Sequence, residues 1–191
     1  MRGISVRLPR YFRYLRELLM NGILKVSSNQ LADRLGITPS QVKADLSRYA
    51  GAGQQGYGYN VKTLYRGISR DLGAGDGMNA VVIGGSEAEY RLFAERFEGR
   101  GVTVSTHISV GTDADMSDIE PLLIETQAEI AVICEMPHGM TTELLEKHGI
   151  KGIWNLTQTD IKANVPVLNL PLGDPLMTLC YEMKEREEDE K

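Results

Sequence analysis

The sequence predicts an α/β fold in two parts: a winged helix-turn-helix, then a doubly wound parallel sheet that ends in a long helix. Three observations carry this. Residues 27–49, SSNQLADRLGITPSQVKADLSRY, hold a small residue, a turn glycine and an aliphatic at Ala32, Gly36 and Val42, the spacing of two helices joined by a tight turn. From residue 79 onward, short β-branched runs alternate with helical periodicity, as parallel strands with helical crossovers require. Between the two, Gly73-Ala74-Gly75-Asp76-Gly77 breaks all periodicity and reads as a linker.

The first part is taken as residues 1–75. Ala32 allows close helix approach, and Gly36 can adopt positive φ at little steric cost. Leu31, Leu35, Ile37, Val42 and Leu46 supply the apolar faces. Thr38 is expected to cap the second helix, with Pro39 at its first position and Gln41 completing a capping box. GAGQQGYGY, residues 51–59, suits a tight hairpin, the wing. Val61, Leu64, Tyr65, Ile68 and Leu72 share one face of a connecting helix.

The second part divides into a sheet domain, 76–173, and a terminal helix with an acidic tail, 174–191. Expected strands are 79–84, 102–108, 129–134, 149–156 and 165–170; expected helices are 87–98, 119–127, 141–148 and 174–186. This is the layout of a Rossmann-like sheet. On the last helix Leu176, Leu179, Cys180 and Met183 form an apolar stripe with no partner evident in so small a domain. They are the expected dimerisation residues.

Charge separates the parts. Residues 1–75 hold 12 Lys+Arg against 4 Asp+Glu, net +8; residues 76–191 hold 9 against 22, net −13, together the chain's −5. A basic helix-turn-helix beside an acidic body is the pattern of a DNA-binding head on a sensor or oligomerisation domain. Arg7, Arg10, Arg13 and Arg16 recur every three residues, with Glu17 the nearby acid. No apolar run approaches the ~20 residues of a membrane span. MRGISVRLPR has no apolar signal core, so a cytoplasmic chain is expected. Cys134 and Cys180 have no metal or disulfide spacing and are expected to be buried free thiols. No nucleophile pairs with a base. His107, His138 and His148 are scattered, and Asp113, Asp115 and Asp118 read as a solvated helix entry, so neither an enzyme nor a metal site is expected.

The turn after the first sheet strand is where a dinucleotide phosphate meets a helix N-terminus. Instead of G-x-G-x-x-G it reads Gly84-Gly85-Ser86-Glu87-Ala88-Glu89. Glu87 and Glu89 would satisfy the positive helix end themselves. At about 4 Å from a pyrophosphate each would cost roughly 1–4 kcal/mol. The second strand ends Thr106-His107-Ile108-Ser109, without the acid that usually holds the ribose.

RLPRYFRYL, VSSNQLADRLGITPSQVKADLSRY, GYGYNV and KGIWNLT together resemble the Rex family of redox-sensing transcriptional repressors over nearly the whole chain. The resemblance implies a homodimer that binds a palindromic double-stranded operator when NADH is scarce and releases it when NADH binds, with the last helix inserted into the partner. The chain departs from the family pattern at Ala44, where a second basic residue of the recognition helix is usual, and at Gln55, usually arginine. Ser86 and Glu89 replace glycines, and Pro171 stands where an acid would pair with Arg13. Weaker DNA binding and weaker cofactor sensing follow as expectations. The expected DNA contacts are Arg7, Arg10, Ser40, Gln41, Lys43, Ser47, Arg48 and Gln55. Any NAD(H) would lie against Gly84, Gly85, Ser86, Met136, Pro137 and Asn155. The alternatives are a DNA-binding paralogue that has lost NAD(H) for another ligand or none, and an enzyme on a nucleotide-binding fold.

Overall fold

The computed structural model describes residues 3–54, 58–75, 77–97, 101–109 and 116–189. The chain separates into two compact units, Met1–Gly75 and Asp76–Lys191.

In the first unit α1 (Ile4–Met20) leads through β1 (Lys25–Val26) to α2 (Ser28–Leu35) and α3 (Pro39–Leu46). A 3₁₀ turn, Ser47–Ala52, precedes β2 (Gly53–Gln54), β3 (Gly58–Asn60) and α4 (Val61–Asp71). Gly36 closes α2 at φ 67°, ψ 40°, its N–H donating to Ala32 O, and this left-handed residue makes the turn into α3. The reciprocal capping box forms at Ser27–Gln30, at the start of α2. At α3 only half of the expected box exists: Thr38 accepts from the Gln41 N–H, but the Gln41 side chain turns to Asp45 instead. The three short strands order β1-β3-β2, all antiparallel. Gly58 has φ 76°, and a Cβ there would lie 2.8 Å from Val26 O, so only glycine lets the strands approach. Tyr11, Leu15, Leu31, Val42, Leu46, Leu64 and Ile68 fill the core.

The second unit is a five-stranded parallel sheet. Its strands are β4 (Met78–Ile83), β5 (Val102–Ile108), β6 (Ile130–Ile133), β7 (Gly152–Asn155) and β8 (Val167–Asn169), in the order β5-β4-β6-β7-β8. Helices α5 (Glu87–Phe97), α6 (Met116–Thr126) and α7 (Thr142–Lys147) make the crossovers, and α8 (Gly173–Asp189) ends the unit. Strand alternation sorts the core into two faces. Val81, Ile83, Ala131 and Ile133 pack with Ile119, Leu123 and Leu145 on one side; Ala80, Val82 and Val132 pack with Phe93 on the other. Because β4 is buried on both faces it reads as a continuous apolar run. The β7–β8 crossover has no helix. Asn155 holds it together, donating to Thr159 O and Asn169 Oδ1 and accepting from the Thr157 N–H and hydroxyl. The order places the change of winding direction between β4 and β6, where such sheets open their crevice.

Two expectations about burial need correction. Cys180 is exposed, as is the whole of α8 from Gly173 to Glu188; Cys134 is half-buried. Among the described residues no helix is long and apolar enough to cross a membrane.

Candidate functional site: a recognition helix and a phosphate turn

On the first unit, α3 exposes Ser40, Lys43 and Ala44, followed by Ser47 and Arg48. Lys43 forms no ion pair among the described residues. The opposite face of α3 holds a buried acid that the sequence reading missed. Asp45 is 4% exposed and accepts four hydrogen bonds: Arg7 Nε at 2.6 Å, Arg7 Nη2 at 2.7 Å, Gln41 Nε2 at 2.8 Å and the Tyr11 hydroxyl at 3.2 Å. The Arg7 fork holds the Asp45 carboxyl below the usual range, against the opposing effect of burial. Burial and the same carboxylate push the Tyr11 phenol up. The available signal was positional: Asp45 lies three residues after Val42 and directly before Leu46, both core residues, so it shares their stripe.

This network engages two of the expected DNA contacts. Arg7 turns its bidentate edge to Asp45 rather than outward, because an unpaired buried carboxylate is costly. Gln41 is half-buried and spends its amide on the same group. Two further contacts shift in character. Arg48 lies beyond the end of α3 and pairs with Asp71 at 3.3 Å, over the Tyr49 ring. Burial and a 2.6 Å bond to Asp71 push the Tyr49 hydroxyl up to about 12. Ser47 donates to Ala44 O, within its own helix end. Arg10 is exposed and donates to Leu35 O. Gln55 lies outside the described residues, as do Asp113 and Asp115.

On the second unit, the turn after β4 packs against the end of β6. Gly84 and Gly85 have φ 70° and 74°. A Cβ on Gly84 would lie 2.7 Å from Glu135 O, and one on Gly85 2.9 Å from Cys134 Cβ. These glycines are required by close backbone approach, as in a dinucleotide turn. The helix start that follows is closed by its own side chains. Glu89 Oε2 accepts from the Ser86 N–H at 2.8 Å and the Ser86 hydroxyl at 2.9 Å, while the Glu89 N–H donates to Ser86 Oγ at 3.3 Å. This is a capping box. The Ser86 N–H, then the Ser86 hydroxyl, hold the Glu89 carboxyl below its ordinary value. Glu87 turns elsewhere, to Arg91 at 3.0 Å and beside His107 Nδ1 at 3.5 Å. His107 donates from Nε2 to Gly84 O at 3.1 Å and stacks on Tyr90. Cys134, desolvated and near Glu89, is pushed up to about 11. As arranged, the Ser86 and Glu89 N–H groups, two of the donors that a helix start offers a phosphate, already serve side chains of the turn itself.

Three other expected cofactor residues are placed as follows. Pro137 is buried and Met136 packs partly against the α6 and α7 face. Asn155 lies at the same end of the sheet but is fully buried, with its whole hydrogen-bonding capacity spent on the β7–β8 crossover. In this arrangement its amide supports the loop. The histidines do not converge: His148 pairs with Glu120 at 2.8 Å, far in sequence from His107, and His138 is exposed. Among the described residues no group of three or more His, Cys, Asp and Glu could hold a metal ion.

Residues 4–47 match the family model described as a putative DNA-binding protein N-terminus. The chain is 36% identical over 197 residues to the redox-sensing transcriptional repressor Rex of Caldanaerobacter subterraneus subsp. tengcongensis, covering 95% of this chain and 88% of that protein. It is 37% identical to Rex of Clostridium perfringens strain SM101, covering 94% of each. It is similar to the crystal structure of RSP in complex with β-NAD⁺ and operator DNA, at a TM-score of 0.80 and 32% identity over 98% of this chain and 94% of that one. The likeness to RSP in complex with β-NADH has a TM-score of 0.78 at 29% identity, over 98% and 95%.

Proposed function

The chain belongs to the Rex family of redox-sensing transcriptional repressors, and on that premise we propose that it represses transcription as a symmetric dimer on operator DNA and answers to redox state through NAD(H). The observation that carries the DNA reading is the solvent face of α3. Ser40, Lys43 and Ala44 point away from the core on a helix whose other face is anchored by Asp45 to α1. Such a helix fits a major groove, with Lys43 and Arg10 as the cations nearest to base edges and phosphates. Operator DNA is present in one RSP complex of the same architecture.

The dimer reading rests on α8. Leu176, Leu179 and Met183 are 62%, 52% and 55% exposed and lie with Cys180 on one stripe. A stripe of this length finds its burial in a second copy, and a two-fold axis would then present two α3 helices to successive major grooves. The second reading, a paralogue without a dinucleotide response, is favoured by one observation, the Ser86–Glu89 contact.

The test is fluorescence anisotropy with the RSP operator duplex and a scrambled duplex, at ~50 and ~200 mM salt, with and without NADH. Preference for the operator, a steep fall with salt and release by NADH support the first reading. Operator binding indifferent to NADH supports the second. Equal binding to both duplexes overturns sequence-specific repression.

A further inference from the structure

We propose that Glu89 is an internal occupant of the phosphate seat, so that a dinucleotide binds this chain only by displacing that carboxylate. The inference rests on the NAD(H) reading above and concerns the same turn. Two acids stand on the first turn of α5, and sequence alone makes them equivalent obstacles. The structure separates them. Glu87 pairs with Arg91, which offsets its charge, and lies beside His107. Glu89 folds back over the helix start, and its Oε2 takes both the N–H and the hydroxyl of Ser86.

A phosphate at a helix N-terminus uses these same donors and the same positive end of the helix dipole. Glu89 therefore offers a charged, preorganised acceptor where a ligand oxygen would go. It also stands 3.0 Å from the position of a Cβ on Gly85, which places the carboxylate on the glycine turn itself rather than along the helix flank. The rest of the turn keeps its dinucleotide geometry: Gly84 and Gly85 retain positive φ, and His107 clasps Gly84 O. A seat preserved in backbone and filled by one side chain predicts rescue by one substitution. A site lost by drift would not be restored that way.

Calorimetry with NADH as the probe, on the full chain, tests this with Glu89→Ala and Glu89→Gln. Glu89→Ala is expected to bind about tenfold more tightly or better, the scale of a displaced charge-assisted hydrogen bond pair. Glu89→Gln keeps an acceptor for the Ser86 N–H but loses the charge, and is expected to gain a few-fold. Thermal melting verifies that each variant folds, and Glu89→Gln decides the matter if Glu89→Ala does not. Equal affinity in the unaltered chain and the folded variants overturns the inference and leaves the NAD(H) reading standing. No NADH binding by any of the three, with operator binding intact, overturns that reading and the inference with it.

Discussion

Arg7 of α1 and Asp45 of α3 are joined by two hydrogen bonds, of 2.6 and 2.7 Å, between residues 38 apart in sequence. The pair fixes α3, whose other face exposes Ser40, Lys43 and Ala44, to the first helix of the unit. Asp45 is 4% exposed, so its charge depends on Arg7, Gln41 and Tyr11 for compensation. Arg7→Ala leaves that charge unpaired and is expected to cost about 3 kcal/mol, the low end for a broken buried pair because Arg7 keeps some contact with water. Urea denaturation measures it. A cost below about 1 kcal/mol would assign the pair a surface role.

Asp45 also sets an acid limit. Its folded pKa is lowered, chiefly by Arg7. Such a group stabilises the fold at pH above its unfolded value of about 3.9, and the contribution is lost as pH falls through the lower folded value. Asp45→Asn is expected to be less stable at pH 7 and to show a shallower loss of stability below pH ~4 than the unaltered chain. Parallel acid limbs in the two proteins would place the titration elsewhere.

Lys43 is the cation on the outer face of α3. Lys43→Ala is expected to weaken operator binding and, where Lys43 meets a phosphate, to reduce the salt slope by about 1. A lost preference for operator over scrambled duplex, with the slope unchanged, would instead assign Lys43 to a base edge. Unchanged affinity and slope would remove it from the interface.

A chain ending at Gly173 lacks the exposed stripe of α8 and is expected to sediment as a monomer. Cys180 supplies an independent readout, since it is exposed in the single chain. Thiol labelling of Cys180 is expected to be slow in the full-length dimer and to quicken on dilution to monomer. Cys134 should label slowly throughout, because burial pushes its thiol up to about 11. A truncated chain that still dimerises, or a Cys180 rate independent of concentration, would move the dimer contact away from α8.

Gly58→Ala tests the hairpin. The residue has φ 76°, and its Cβ would stand 2.8 Å from Val26 O, a backbone atom that cannot swing away. The left-handed conformation alone costs a non-glycine residue about 1–2 kcal/mol, and the clash adds to it. Loss of at least ~2 kcal/mol in unfolding free energy is expected. A neutral substitution would show that the β1–β3 pairing yields freely.

Much of this architecture was legible before any tertiary contact was known. The α2–α3 turn follows from Gly36 and from capping residues within a few positions of it, and the sheet follows from apolar runs at strand period divided by helical ones. These are local signals, carried by backbone sterics and by the period of each element. What only the tertiary structure decided is where the polar groups spend their bonds. In a row of arginines at even spacing, Arg7 turns inward because Asp45 arrives from another helix. Gln41 leaves its capping role for the same carboxylate. Asn155, at a strand end that pointed to a ligand, is consumed by a helix-free crossover. Glu87 and Glu89, two residues apart, part company because Arg91 and His107 draw one outward while Ser86 holds the other. A side chain's type and spacing state what it can bond. Its partner is settled by competition among donors and acceptors brought together by the fold, and for Arg7, Asn155 and Glu87 those competitors come partly from distant segments of the chain.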